Sequence, residues 1–323
     1  MIFESLPTVP TAEELLDKAF SRAARAGKAK HGVEAQGSML QTASNILADN
    51  LGQVATDWPD FDAMDPFYAE LADAIVDVDA LRASLSELTW ASGKTKAFGR
   101  DYQGRIARTD PDTARKLRQQ AFARMASVVE EVADDLERVN AARNALRDLP
   151  DIRTDQPTVV VAGAPNVGKS SFVNAVTRAR NRIAAYPFTT TGVHVGHVER
   201  DRVRYQVVDT PGLLDRPPED RNPVERQAVS ALTHVADGIL FLIDASETCG
   251  YPLTDQLALK ASVADAFPDA PLVTVCNKAD LSTAVEADLT MSLTEGEGVE
   301  AALDAVVAAI GYEPPLPFEE PTG

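Results

Sequence analysis

With two cysteines in 323 residues, the chain has no disulfide framework. Cys249 and Cys276 stand apart without metal-ligand spacing, which predicts a reducing interior, and Cys276, ending an apolar run, is expected in the core. Long hydrophobic stretches are also missing. The run 238–243 is among the longest and has only strand length, far below the ~20 residues of a membrane span. Glu4, Glu13 and Glu14 occupy a beginning without a basic region or an apolar core, which excludes a signal peptide. The expectation is a soluble, cytoplasmic protein without membrane contact. Positive charge is scarce: 31 Lys and Arg face 49 Asp and Glu, a net charge of −18, and arginine outnumbers lysine. Taken alone, that argues against a nucleic-acid partner. Acids this dispersed also fit a halophilic cytoplasm, where a Debye length of about 3 Å or less makes self-repulsion tolerable. Global charge is therefore a weak guide to partners here. Aromatics make up only 6%, but the hydrophobic share of 45% supports real cores, and the length favours two domains.

What is present is concentrated in one stretch, Gly163-Ala164-Pro165-Asn166-Val167-Gly168-Lys169-Ser170-Ser171. It follows the β-branched run 158–161 and precedes a helical pattern, giving strand, glycine-bounded loop and helix with G-x-x-x-x-G-K-S spacing. The glycines let successive N–H groups converge on one anion, and the helix adds the positive end of its dipole. Lys169 is then expected to reach the β- and γ-phosphates, and the Ser170 hydroxyl to ligate Mg²⁺. Asp209-Thr210-Pro211-Gly212 ends a later apolar strand. Asp209 there can hold Mg²⁺ through water, and the Gly212 N–H can approach a γ-phosphate. Asn277-Lys278-Ala279-Asp280 follows the strand 272–276. The Asp280 carboxylate can accept from N1–H and the 2-amino group of guanine, a donor pair that adenine lacks. Asn277 would brace the loops, the Lys278 stem would cover the base, and Ser292 weakly matches a fifth base-contacting motif. The motifs imply GTP and GDP with Mg²⁺.

Between these motifs lies Tyr186-Pro187-Phe188-Thr189-Thr190-Thr191-Gly192, where one threonine is expected to close over Mg²⁺ as a switch. Thr190 is favoured, with Thr189 and Thr191 as alternatives. Lys169, Thr190 and Gly212 are thus the candidate catalytic groups. Leu213 stands where many GTPases place a water-orienting glutamine, so hydrolysis is expected to be slow and stimulated by K⁺ or a partner. Asn166 is a candidate K⁺ ligand, or a residue that tolerates an awkward loop conformation.

Residues 1–150 read as a helical bundle, with patterns near 36–51, 66–88, 88–108 and 113–149 and a capping signal at Thr11-Ala12-Glu13-Glu14. Two stretches are basic against the acidic background. One runs through Lys18, Arg22, Arg25, Lys28 and Lys30; the other runs from Lys94 to Arg124. Either is a solvated helix face or a contact for phosphate backbone, RNA in particular. Ala91-Ser92-Gly93-Lys94-Thr95 lacks the upstream glycine of a second phosphate loop (Leu88 is there). The second domain, 157–311, alternates strands and helices: a P-loop domain with a mostly parallel sheet and one antiparallel strand, following the all-α bundle. Residues 312–323 are rich in Pro and Glu and read as a disordered tail.

The phosphate loop, the stretch from Tyr186 through Thr191-Gly192-Val193-His194-Val195-Gly196-His197, and Asp209-Thr210-Pro211-Gly212-Leu213-Leu214-Asp215-Arg216-Pro217 resemble the Obg-related GTPases. The likeness is greatest to the Nog-type nucleolar GTP-binding proteins and their archaeal counterparts. That resemblance implies a factor in large ribosomal subunit assembly that binds rRNA and precursor particles. Eukaryotic members carry a long basic C-terminal extension, whose contacts do not transfer to a chain that stops soon after its last GTPase helix. Two other readings are an RNA-binding scaffold with incidental hydrolysis and a translation-associated Obg relative.

Overall fold

The computed structural model describes residues 3, 5–147, 149, 152–177, 182–184, 193–210, 212–216 and 218–313. It divides into two compact units, Met1–Phe61 with Val76–Arg147, and Asp62–Ile75 with Asp148–Gly323.

The first unit is all helical. Thr11 and Glu14 form the expected capping box at the start of α1 (Ala12–Gly27). Helix α2 (Gly32–Thr56) packs closely on α4 (Val78–Ile106) because small residues line the contact. A Cβ added to Gly99 would lie 2.1 Å from Ser44 Oγ, and Ser92 Oγ donates across to the Ala48 carbonyl at 2.7 Å. The sequence places a junction at Leu88, but Leu88 is buried inside α4. The break falls earlier, where Asp77 caps α4 by accepting from Ala80 N at 2.8 Å. The expected single helix 113–149 is two, α5 (Pro111–Glu131) and α6 (Ala133–Arg147), interrupted at Val132. Their apolar stripes are continuous in sequence, which hides the interruption from periodicity. Within the described residues no helix is long and apolar enough to cross a membrane.

The second unit is a seven-stranded sheet in the order β2-β3-β4-β1-β5-β6-β7. Its strands are β1 (Thr158–Ala162), β2 (Arg182–Ala184), β3 (Val193–Arg200), β4 (Val203–Asp209), β5 (Gly238–Asp244), β6 (Leu272–Asn277) and β7 (Leu289–Thr290). Only β3 runs against the others, pairing antiparallel with β2 and β4. Strands β1 and β5 are buried at every residue, which explains their unbroken apolar sequences. The three-residue β2 carries too short a pattern to be foreseen. Helices α7 (Lys169–Val176), α8 (Pro223–Thr233), α9 (Leu253–Ala266) and α10 (Val299–Ile310) complete the fold.

Helix α3 (Pro66–Ile75) belongs to this second unit, although it lies within the expected helical segment 1–150. It packs on α8, with Gln227 Nε2 donating to Asp73 at 3.0 Å and His234 Nε2 lying 2.9 Å from Glu70. Tyr68 Oη donates to the Ile152 carbonyl at 2.7 Å. The buried Gln206 amide accepts from Arg153 N at 2.7 Å and donates to the Arg153 carbonyl at 2.6 Å, pinning the polar linker to the sheet. Of the expected disordered tail, residues 314–323 lie outside the described residues.

Candidate nucleotide site

The sheet order reverses at β1: β4 lies on one side and β5 on the other, both parallel to it. In such sheets ligands bind at the carboxyl ends of the strands beside that reversal. The predicted residues gather at this edge. Gly163 to Ser170 follow β1, Asp209 ends β4, Asn277 ends β6 with Lys278 to Asp280 beyond it, and Ser292 follows β7.

The phosphate loop owes its shape to two glycines. Gly163 (φ 138°) passes so near β5 that an added Cβ would lie 2.5 Å from the Leu242 carbonyl oxygen. At Gly168 (φ 107°) it would lie 2.5 Å from Asn277 Nδ2. Asn277 uses that nitrogen to donate to the Val167 carbonyl at 2.7 Å, so it braces the loop as expected. Ala164 and Val167 are buried, Pro165 is half-buried, and Ser171 is exposed. Asn166 is exposed and left-handed (φ 61°), and donates to the Cys249 carbonyl at 3.4 Å. The awkward conformation allowed for in the sequence is therefore real, and asparagine suits it.

Lys169 is buried, its ammonium donating to the carbonyls of Gly163 (2.8 Å) and Ala164 (3.0 Å). Burial pushes its pKa down, opposed by the charges of Asp215 and Asp209. Ser170 Oγ donates to Asp209 Oδ2 at 2.5 Å. Burial pushes the Asp209 carboxyl up, against the Ser170 hydrogen bond and the Lys169 charge. Its other oxygen, Oδ1, is buried and has no hydrogen-bond partner among the described residues. A hydroxyl and a half-satisfied carboxylate side by side are hard oxygen donors, which suit Mg²⁺. Thr189, Thr190 and Thr191 lie outside the described residues, as does Pro211. The Gly212 N–H donates to Asp215 Oδ2 at 2.9 Å, and Leu213 is fully buried.

At the base end, Ser292 Oγ donates to Asp280 Oδ1 at 2.6 Å, while Asp280 itself is exposed. Lys278 donates to Asp244 Oδ2 at 2.7 Å and to Thr248 Oγ1 at 3.0 Å. Asp244 is fully buried and also accepts from Ser246 N (2.9 Å), Ser246 Oγ (2.5 Å), Thr248 Oγ1 (3.1 Å) and Cys249 N (2.8 Å). Burial raises its pKa, but the hydrogen bonds from Lys278, Ser246, Cys249 and Thr248 outweigh it and hold the carboxyl well below the usual range. Asp244 and Asp215 escaped the sequence reading. A carboxylate ending an otherwise apolar strand was the available signal for Asp244. Cys276 and Cys249 are both buried, and burial pushes both thiols up.

A glycine loop that turns into a helix, a strand-ending aspartate before Gly212 and Asp280 beyond β6 define a P-loop GTPase, a GTP-binding domain, here preceded by helices. Residues 3–153 match the NOG1 N-terminal helical domain, and residues 158–278 match the 50S ribosome-binding GTPase family. An uncharacterised protein of Methanocaldococcus jannaschii is 38% identical over 290 residues, 86% of this chain and 81% of that one. Nucleolar GTP-binding protein 1 of Drosophila melanogaster is 37% identical over 73% of this chain, and that of Caenorhabditis elegans 34% over 86%. The chain belongs to the Nog-type nucleolar GTP-binding protein family. It spans 36% of the fly protein and 42% of the nematode protein.

Proposed function

We propose that this protein is a Mg²⁺-dependent GTP-hydrolysing switch that acts in large ribosomal subunit assembly by binding rRNA or a precursor particle. The observation that carries this reading is the convergence of Lys169, Ser170, Asp209, Gly212, Asn277 and Asp280 on one edge of the sheet. In this role the backbone N–H groups of Ala164 and of residues 166–171, with the Lys169 ammonium, hold the β- and γ-phosphates. Ser170 and Asp209, with Thr190, hold Mg²⁺, which neutralises charge on the phosphate oxygens. Asp280, with Ser292 bracing it, selects guanine, and the Lys278 stem covers the base. The buried Leu213 supports slow intrinsic turnover, with K⁺ held near the exposed Asn166, or a particle, supplying what the leucine cannot.

The RNA contact falls to the basic half of α4, the turn that follows it and the start of α5. Lys94, Arg100, Arg108, Arg115 and Lys116 are exposed there, and none is ion-paired among the described residues. In a chain of net charge −18, unneutralised cations on adjoining helices favour phosphate contact over a merely solvated face. The name of the matching family, 50S ribosome-binding GTPase, supports the same partner.

Co-sedimentation with large-subunit particles in high KCl tests this. Binding is expected with a non-hydrolysable GTP analogue and loss with GDP. Equal binding in both states would favour a scaffold with incidental hydrolysis, the reading to which the buried Leu213 lends weight. Single-turnover hydrolysis with and without particles separates the two, with acceleration expected only for the switch.

A further inference from the structure

The Gly212 N–H is the donor expected to meet a γ-phosphate, and it is held by a carboxylate of its own loop. Asp215 Oδ2 accepts it at 2.9 Å. Asp215 is half-buried, and its negative charge acts on Lys169, the ammonium of the phosphate loop, and on Arg221. One anionic group thus lies among the donors that would receive another.

We propose that Asp215 stands in for the γ-phosphate, competing with it for Gly212 N–H and so biasing the site towards GDP. This inference rests on the nucleotide reading above. GDP ends at its β-phosphate and leaves the Asp215–Gly212 contact intact. GTP must break that contact and then place a γ-phosphate beside the displaced carboxylate, where two anions repel in a site of low dielectric. Both effects weaken GTP alone. Discrimination of this kind comes from a group set against one ligand rather than from added contacts with the other. The aspartate is therefore a specificity-determining residue for the nucleotide state. The leucines beside it help fix its position: Leu213 and Leu214 are fully buried, and the Leu214 carbonyl accepts from Gly163 N at 3.3 Å. The loop after β4 and the phosphate loop are thereby joined through their backbones, and Asp215 directly follows that joint.

The test is to measure dissociation constants of fluorescent GDP and a fluorescent non-hydrolysable GTP analogue on the full chain, with Mg²⁺ in high KCl. Asp215→Ala is expected to tighten the analogue about tenfold, equivalent to ~1.4 kcal/mol, and to change GDP less than twofold. Asp215→Asn, which keeps an acceptor oxygen but loses the charge, should fall between wild type and alanine. It also serves as the conservative variant if alanine disturbs folding. Parallel changes for both nucleotides, or an unchanged ratio, would mean that Asp215 only braces the turn and would overturn the inference. A wild-type chain that binds neither guanine nucleotide would instead overturn the nucleotide reading itself.

Discussion

The two ends of the nucleotide site are built on different plans. At the base end, the residues expected to touch guanine are braced from behind. Ser292 holds Asp280, and the fully buried Asp244 holds Lys278. At the phosphate end, the recognising atoms are themselves engaged within the protein. Lys169 donates to its own loop, Ser170 to Asp209, and Gly212 to Asp215. Binding at the first end adds contacts to a preorganised frame. Binding at the second exchanges one set of hydrogen bonds for another. Affinity should therefore come chiefly from the base, and discrimination between nucleotide states from the phosphates.

The largest expected effect lies at the base end. Asp280→Asn replaces one of the acceptors facing N1–H and the 2-amino group by a donor, and should weaken GTP about a thousandfold. The same variant should gain xanthosine triphosphate, whose 2-carbonyl accepts that donor; competition titration with the two nucleotides reads both changes. Next comes Lys169→Ala, expected to cost about a hundredfold in GTP affinity by calorimetry, because charge-assisted bonds to phosphate are worth about 1.5–3 kcal/mol each.

Stability should respond with opposite sign at the two ends. Asp244→Asn leaves Lys278 without its carboxylate and should destabilise the chain by about 3 kcal/mol in chemical denaturation. Because the folded pKa of Asp244 lies below its ordinary value, this contribution is complete above the usual carboxylate range. It is lost as pH falls, since the unfolded chain takes up the proton first, near about pH 4. The gap between wild type and variant should accordingly narrow towards acid. Asp209→Asn removes a buried charge, one of whose oxygens has no partner among the described residues, and should stabilise the nucleotide-free chain by about 1 kcal/mol while abolishing Mg²⁺-dependent binding. Destabilisation by that variant would erase the contrast between the ends.

Most of the site was legible because phosphate and guanine recognition need fixed residue types at short spacing. Gly168, Lys169, Asp209, Asn277 and Asp280 announce themselves through local geometry. The strands were legible too, since burial on both faces leaves apolar runs such as 238–243. What escaped was contact at a distance. Lys278 meets Asp244 across 34 positions, and no local pattern couples them. Asp215 sits only three residues beyond Gly212, yet nothing in the motif's residue types tells that its carboxylate turns back onto the Gly212 N–H. The break at Val132 was hidden by an apolar stripe that runs through it, whereas the start of α4 was set by Asp77, a cap stronger than any signal at Leu88.

The course of the chain through α3 has a practical corollary. The backbone passes between the two compact units at 61–62, at 75–76 and again at 147–148, so neither unit is a single uninterrupted stretch. A fragment cut out at residue 151 would lose α3 from against α8, together with the hydrogen bond of Tyr68 to Ile152. Such a piece would begin life with an uncovered helix face. Any excision meant to isolate the nucleotide domain has to start at Asp62 or supply residues 62–75 as a separate peptide.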